Sequence, residues 1–289
     1  MSMFILGCGY LGQRVAAQYL QTGVPITGSV RSRISMERLQ QRGIVPLMLD
    51  LDRHPLPQLP LAGSSLFYFI PPATGGSNDP RSAGIVEAFR RQGSPRRLVY
   101  LSTTGVYGNC AGEWVDEQRI PAPAVPRALR RWDAEQTLRA WSRESGGELV
   151  ILRVAGFYGA GKLPLERLRK RLPMVREEEA PFSNRIHVND LVTVCQAAME
   201  RGRAGEVYNV SDGHPTTMTD YFDRVADVAG LARPPKISLH QARQNLSPGM
   251  LSYMQESRRL LNRKMLDELD VSLQFPDLAT GLPACFDDA

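Results

Sequence analysis

The feature that most constrains this chain is a turn close to its N-terminus. Met3-Phe-Ile-Leu6 is a short apolar run, Gly7, Gly9 and Gly12 follow at G-x-G-x-x-G spacing, and residues 11–20 form an amphipathic stretch. The order reads as strand, tight turn, helix. Each glycine has a separate physical task. Gly7 lets the chain turn sharply, Gly9 lets the backbone approach a pyrophosphate, and Gly12 lets the helix lie against the strand. The free N–H groups and positive dipole end of that helix would hold the anion, so Gly7, Gly9, Tyr10, Leu11 and Gly12 are expected to bind a dinucleotide. A structural turn that binds nothing is the other reading of the same residues.

The 289 residues suffice for one large α/β domain or a nucleotide domain with a smaller lobe, and 43% hydrophobic content supports a full core. No run approaches the ~18 apolar residues of a membrane span, and the first residues pass directly into a strand; a cytoplasmic protein is expected. Cys8, Cys110, Cys195 and Cys285 form no C-x-x-C pair and no histidine stands at ligand spacing, so no metal site is expected. The net charge of +5 comes from arginines spread among acids. A small anionic ligand explains that balance as well as nucleic acid would, and nucleic acid is not the expected partner.

Residues 25–30 read as a second strand ending in Arg31-Ser32-Arg33. Roughly 20 positions beyond the glycines, a nucleotide fold meets the adenosine ribose; an acid there would accept from the 2′-OH of NAD, an arginine would pair with the 2′-phosphate of NADP. No acid is present. Arg31 and Ser32 therefore point to NADP as the preferred cofactor, with NAD accepted; a solvated turn is the alternative for Arg31 and Arg33. A helix over 34–42 stops at Gly43, and a third strand over 44–51 ends in Asp50 and Leu51, where Asp50 could meet the adenine amino group or cap a turn. Pro55, Pro57 and Pro60 indicate an irregular connection. A strand over 65–70 runs into Pro71-Pro72, a stiff loop of the kind that borders the ligand crevice of a doubly wound sheet.

A helix over 79–92, a strand over 97–102, a helix over 126–142 and a sixth strand over 149–154 continue the pattern. The alternation β-α-β-α-β-β-α-β predicts an α/β, Rossmann-type doubly wound parallel sheet. Beyond it come a basic helix over 163–172, a helix ending at 201, a strand over 207–210, and helices over 219–229 and 262–269. Residues 1–160 are expected to form the nucleotide-binding domain, with core strands continuing to about 210. Residues 161–289 are expected to be mostly a small C-terminal substrate lobe interleaved with it.

Five stretches now stand in a telling order: the glycine turn, Tyr100-Leu-Ser-Thr-Thr-Gly-Val-Tyr-Gly108, Ile151-Leu-Arg-Val-Ala-Gly-Phe-Tyr-Gly-Ala-Gly161, Arg185-Ile-His-Val-Asn-Asp190 and Glu206-Val-Tyr-Asn-Val210. In them the chain resembles extended short-chain dehydrogenase/reductases of the NAD-dependent epimerase/dehydratase family, and most closely their atypical YeeZ-like branch. The resemblance implies hydride transfer between a nicotinamide and a small polar, sugar-like or nucleotide-sugar substrate. It maps the substrate-binding Ser/Thr onto Thr103, with Ser102 beside it on the cofactor side. The family's Tyr-x-x-x-Lys, counted back from Glu135, falls on Arg127 and Arg131. An arginine keeps its proton to about pH 12 and above, so Arg127 cannot cycle as an acid and base, whereas Arg131 could still hold a ribose hydroxyl or a phosphate.

Tyr158 and His187 then become the candidates for moving the proton. Bland readings stand beside these assignments: Thr103 satisfying the strand end, His187 hydrogen-bonding at a helix start, and Arg127, Arg130 and Arg131 lying on a solvated face. Arg153 and Arg185 could bind an anionic substrate group or be ion-pair partners. His54, His214 and His240 fall in expected loops without a role. Two functions compete: an NAD(P)-dependent oxidoreductase or epimerase/dehydratase-like enzyme with an altered proton relay, and a non-catalytic NAD(P)-binding sensor. A homodimer is a further expectation, since many relatives pair through helices; Leu129, Trp132 and Leu138, in the helix stretch from Ala128 to Trp141, could serve such an interface or the core.

Overall fold

The computed structural model describes residues 2–53, 55–59 and 61–287. Its centre is one parallel sheet of β1 (Met3–Leu6), β2 (Ile26–Val30), β3 (Val45–Met48), β4 (Ser65–Tyr68), β5 (Arg97–Thr103), β6 (Glu148–Val154) and β7 (Val207–Val210), in the order β7-β6-β5-β4-β1-β2-β3. The helices are α1 (Tyr10–Gln21), α2 (Arg33–Gln41), α3 (Pro80–Gln92), α4 (Pro126–Ser145), α5 (Leu165–Arg169), α6 (Val188–Glu200), α7 (Met218–Val228), α8 (Leu239–Asn245), α9 (Pro248–Met254), α10 (Arg263–Leu269) and α11 (Leu278–Asp287). The Rossmann-type doubly wound reading of the sequence holds.

The inner strands are mostly apolar because both faces are covered. Along β1, Met3 and Ile5 join one layer with Leu11 and Val15 of α1 and Leu191 and Cys195 of α6, while Phe4 and Leu6 join the other with Phe89 of α3 and Trp141 of α4. Each such side chain, taken out of water, contributes about 1.5–3 kcal/mol before the ordering cost is counted. Local signals set the helix ends: Asp79 accepts from Arg81 N and Ser82 N with Pro80 at the first helical position, and Gly146, left-handed at φ 71°, closes α4.

The chain builds outward through β1, β2 and β3, then returns to place β4 on the other side of β1. The direction of winding therefore reverses between β1 and β4, and the crevice of a doubly wound sheet lies beyond the C-terminal ends of those two strands. Past β6 a third apolar cluster gathers Tyr158, Leu168, Val175, Tyr221, Phe222 and Leu282. Short parallel pairings bind the pieces: Gly156–Tyr158 lies beside Arg185–His187, and Trp114–Val115 beside Arg259–Leu260.

Several expectations change. The third strand is shorter, because Asp50 accepts from Asp52 N and starts a turn. The basic helix over 163–172 shrinks to α5, stopped by Arg171 at φ 50° ahead of Pro173. Helices α8, α9 and α11 were not expected; α11 carries Pro283 inside it, and α8 and α9 are short segments fixed by caps at Ser238 and Ser247. His240 accordingly sits in α8 and not in a loop, His214 places Nδ1 2.7 Å from Pro276 O, and His54 lies outside the described residues. Among the described residues no helix is long and apolar enough to cross a membrane.

Candidate functional site

The three glycines of the first turn serve three different ends. Gly7 sits at φ +90°, where a Cβ would also fall 2.9 Å from Ile70 N; at Gly12 a Cβ would fall 2.9 Å from Gly7 O and 3.0 Å from Ile5 Cγ2. These two are required by the backbone and by helix–strand packing. Gly9 differs, since a Cβ there would meet nothing within 4 Å. It opens a cradle and, as the residue before α1, leaves the first amides of that helix with no side-chain cap. Ser29 pins the turn from β2, accepting from Gly7 N at 2.9 Å through Oγ and from Cys8 N at 2.9 Å through its carbonyl. Burial pushes the Cys8 thiol up to about 12, so it packs under the turn as an inert side chain.

A cavity of about 690 Å³ opens from the cradle along the switch point, and Gly7, Gly9, Tyr10, Leu11, Arg31, Ser32, Asp50, Leu51 and Pro71 all line it. Arg31 is exposed and takes part in no ion pair among the described residues. Ser32 is committed as the cap of α2, and Asp50 divides its carboxylate between Asp52 N at 3.1 Å and Arg53 Nε at 3.6 Å. Arg81 fixes the loop after β4 by donating to Asp52 Oδ1 at 2.7 Å and to Pro71 O at 2.8 Å. Tyr10 reaches across to the segment after β6, its hydroxyl donating to Ala160 O at 2.8 Å and its ring stacking on Phe157. A group with a pyrophosphate centre and an anionic or hydrogen-bond-accepting end beside Arg31 suits these residues.

At the other end of the cavity the sequence-expected residues separate. Ser102 lines neither the large cavity nor the two chambers beside it; its hydroxyl donates to Glu135 Oε1 at 2.6 Å, and Glu135 also receives Arg153 at 2.8 and 3.2 Å, all in the buried interior. Burial opposes the Arg153 charge, but its bonds to Glu135 hold the proton more firmly than usual, which identifies Arg153 as an ion-pair partner. Thr103 accepts from Gly105 N at 3.3 Å while lining two smaller chambers. Arg131 donates to Leu101 O at 2.8 Å and forms part of the wall of the large cavity. Arg127 turns to the C-terminal segment instead: it donates to Ser252 Oγ, pairs with Glu256 at 3.3 Å, and lies 4.1 Å over the Tyr253 ring. Neither arginine is on a solvated face.

The smaller chambers adjoin one another. One of about 300 Å³ shares Pro71 and Arg131 with the large cavity and is also lined by Pro72; a second, about 410 Å³, shares Thr103, Tyr253 and Arg258 with the first. The two acid–base candidates face neither. Tyr158 is fully buried, donates to Asp277 O at 3.3 Å, and burial pushes its phenol far above the ordinary value. His187 is buried at the start of α6 with Nδ1 accepting from Asn189 N at 3.3 Å. The alternation along Gly156–Tyr158 explains this: Phe157 faces the cavities and its neighbour the core. Lys162, Tyr253, Glu256 and Arg258 line the second chamber without having been singled out in the sequence. Only Lys162, closing Gly159-Ala-Gly161-Lys162, had a local signal.

A model of the "NAD dependent epimerase/dehydratase family" matches residues 81–211. Protein YeeZ of Escherichia coli K12 is 24% identical over 285 residues, covering 94% of this chain and 96% of its own. A solved conserved protein of unknown function from Silicibacter pomeroyi superposes with TM-score 0.86 at 31% identity, over 99% of this chain and 98% of its own. The dTDP-glucose 4,6-dehydratase of Bacillus anthracis, solved with NAD, shares the fold with TM-score 0.76 at 16% identity, over 99% of this chain and 95% of its own. With a family model spanning β5 to β7 and a relative aligned from end to end, the chain belongs to the NAD-dependent epimerase/dehydratase family.

Proposed function

We propose that the protein is an NAD(P)-dependent oxidoreductase or epimerase/dehydratase-type enzyme acting on a small, polar, sugar-like substrate. One observation supports this most: the cavity at the glycine turn and the 410 Å³ chamber meet, sharing Phe157 and Lys162, so a dinucleotide and a second small molecule have adjoining places. When bound, the nicotinamide supplies or accepts the hydride. The chain's own residues do the rest. Gly9 and the first amides of α1 take the pyrophosphate, Arg31 favours the 2′-phosphate of NADP over the free hydroxyl of NAD, Arg131 holds a ribose hydroxyl, and Thr103 orients the substrate oxygen. Tyr253, the tyrosine that lines both smaller chambers, is better placed than Tyr158 or His187 to give that oxygen a proton.

The test follows the hydride in both directions: 4-deuterated NADPH or NADH with simple aldoses and keto sugars, and NADP+ or NAD+ with dTDP-glucose and UDP-glucose deuterated at C4 of the sugar. Deuterium passing into a carbonyl compound, or from a sugar nucleotide to the cofactor or into an epimerised or dehydrated product, supports the enzyme. The contrary result is tight dinucleotide binding with no transfer in either direction. That outcome would favour a dinucleotide sensor, a second reading drawn from the fastening of Arg127 to Ser252, Tyr253 and Glu256.

A further inference from the structure

The three arginines at the start of α4 oppose the electrostatics of their own helix. Arg127, Arg130 and Arg131 are spaced three and four apart, so their like charges are neighbours along one side, beginning in the first turn where the helix dipole is already positive. That turn holds no acidic residue, and Val125 provides no side-chain cap. Two acids further along α4 are engaged elsewhere. Asp133 accepts from Asn78 Nδ2 at 3.2 Å and from Asp79 N at 2.7 Å, and Glu135 receives Ser102 and Arg153.

The rest of the fold adds charge of the same sign. All three side chains, joined by Arg258 from the C-terminal part, line the 300 Å³ chamber, and among the described residues no Asp or Glu lines it. Glu256 answers two of the four, pairing with Arg127 at 3.3 Å and with Arg258 at 3.2 Å. Arg130 and Arg131 have no carboxylate within 4.0 Å among the described residues. Each is aimed by a carbonyl instead: Arg130 Nη1 donates to Gly76 O and Arg131 Nη1 to Leu101 O, both at 2.8 Å. Arg130 Nε is shielded from solvent and has no partner among the described residues. Planar cations held by neutral acceptors keep donors for a ligand, and two uncompensated charges match a phosphate dianion. Thr103 and Tyr253 bring hydroxyl groups to the same wall.

We propose that this chamber is a phosphate-binding site in which Arg130 and Arg131 grip a phosphate dianion at the start of α4, where an acid–base pair has been replaced by arginines. This deepens the proposed function by naming the charge brought to that place, and it rests on that reading only for the dinucleotide alongside. The full chain, alone and saturated with NADP+ to fill the pyrophosphate cradle, is titrated by calorimetry with inorganic phosphate and with methyl phosphate. Ionic strength is held constant above pH 7, where both are mostly dianions. Affinity should fall at least about tenfold in Arg130→Met and less in Arg130→Lys, and stay unchanged in Arg185→Met, which alters the wall of the adjoining chamber. Phosphate should also raise the thermal midpoint of wild type and not that of Arg130→Met. Binding of methyl phosphate as well as inorganic phosphate assigns an organic ester; inorganic phosphate alone assigns the free ion. Should Arg130→Met fail to fold, Arg131→Gln without dinucleotide carries the same comparison. Absence of phosphate binding, equal binding by wild type and Arg130→Met, or a loss that follows Arg185→Met instead, overturns the proposal. If NADP+ itself does not bind, the functional reading falls, and wild type against Arg130→Met in phosphate alone still decides the chamber.

Discussion

Glu135 has no exposure to solvent and receives bonds from both Ser102 and Arg153. Glu135→Ala should cost about 3–5 kcal/mol in chemical denaturation by leaving Arg153 buried and unpaired, whereas Ser102→Ala should cost about 1 kcal/mol. Asp212 behaves in the opposite sense. Burial raises its carboxyl from 3.8 to about 7, so the folded chain binds this proton more tightly than the unfolded chain. Stability is therefore fullest below the unfolded value and is lost as pH climbs towards 7. Asp212→Asn keeps an oxygen for His214 N and removes the penalty: the variant should be more stable than wild type by about 1–3 kcal/mol at pH 8, with the advantage shrinking towards pH 4 in thermal melts. Legibility at this scale depended on distance along the chain. The roles of Gly7 and Gly12 are local and could be read from spacing, whereas Arg153 and Arg185 looked alike until the fold brought Glu135 to one and left the other facing a chamber.

Among the elements of the C-terminal part, α9 reaches the site through Met250 and Tyr253. The contacts of Arg127 with Ser252, Tyr253 and Glu256 join α4 to this short helix, which carries Tyr253 to the chamber wall. Arg127→Ala should leave overall stability within about 1 kcal/mol, because the side chain is 30% exposed, while speeding hydrogen exchange and proteolysis within residues 247–256. Unchanged protection of that segment would show that Arg127 does not hold it. The sheet and helices α1, α3, α4 and α6 were legible because their apolar periodicity and caps are strong. Helices α8, α9 and α11 were not, since two segments of seven residues and one with an internal Pro283 carry no sustained period, and packing in the cluster of Tyr221, Phe222 and Leu246 stabilises them.

At the scale of the whole molecule, function follows from where the sheet reverses. The glycine turn follows β1 and the Pro71 loop follows β4, both line the large cavity, and residues of the third apolar cluster line the second chamber. The dimer expectation loses one support: Leu138 belongs to the core between α3 and α4, leaving Leu129 and Trp132 half-buried on the same helix. The most direct measurement is calorimetric titration of NADPH and NADH into wild type, Gly9→Val and Arg31→Ala, with thermal midpoints recorded for each. Wild type should bind NADPH more tightly than NADH, Arg31→Ala should bring NADPH towards the NADH level, and Gly9→Val should lose both at an unchanged midpoint, because a Cβ there meets only open space. Failure of both nucleotides to bind wild type at millimolar concentration, or full binding by Gly9→Val, would contradict the account.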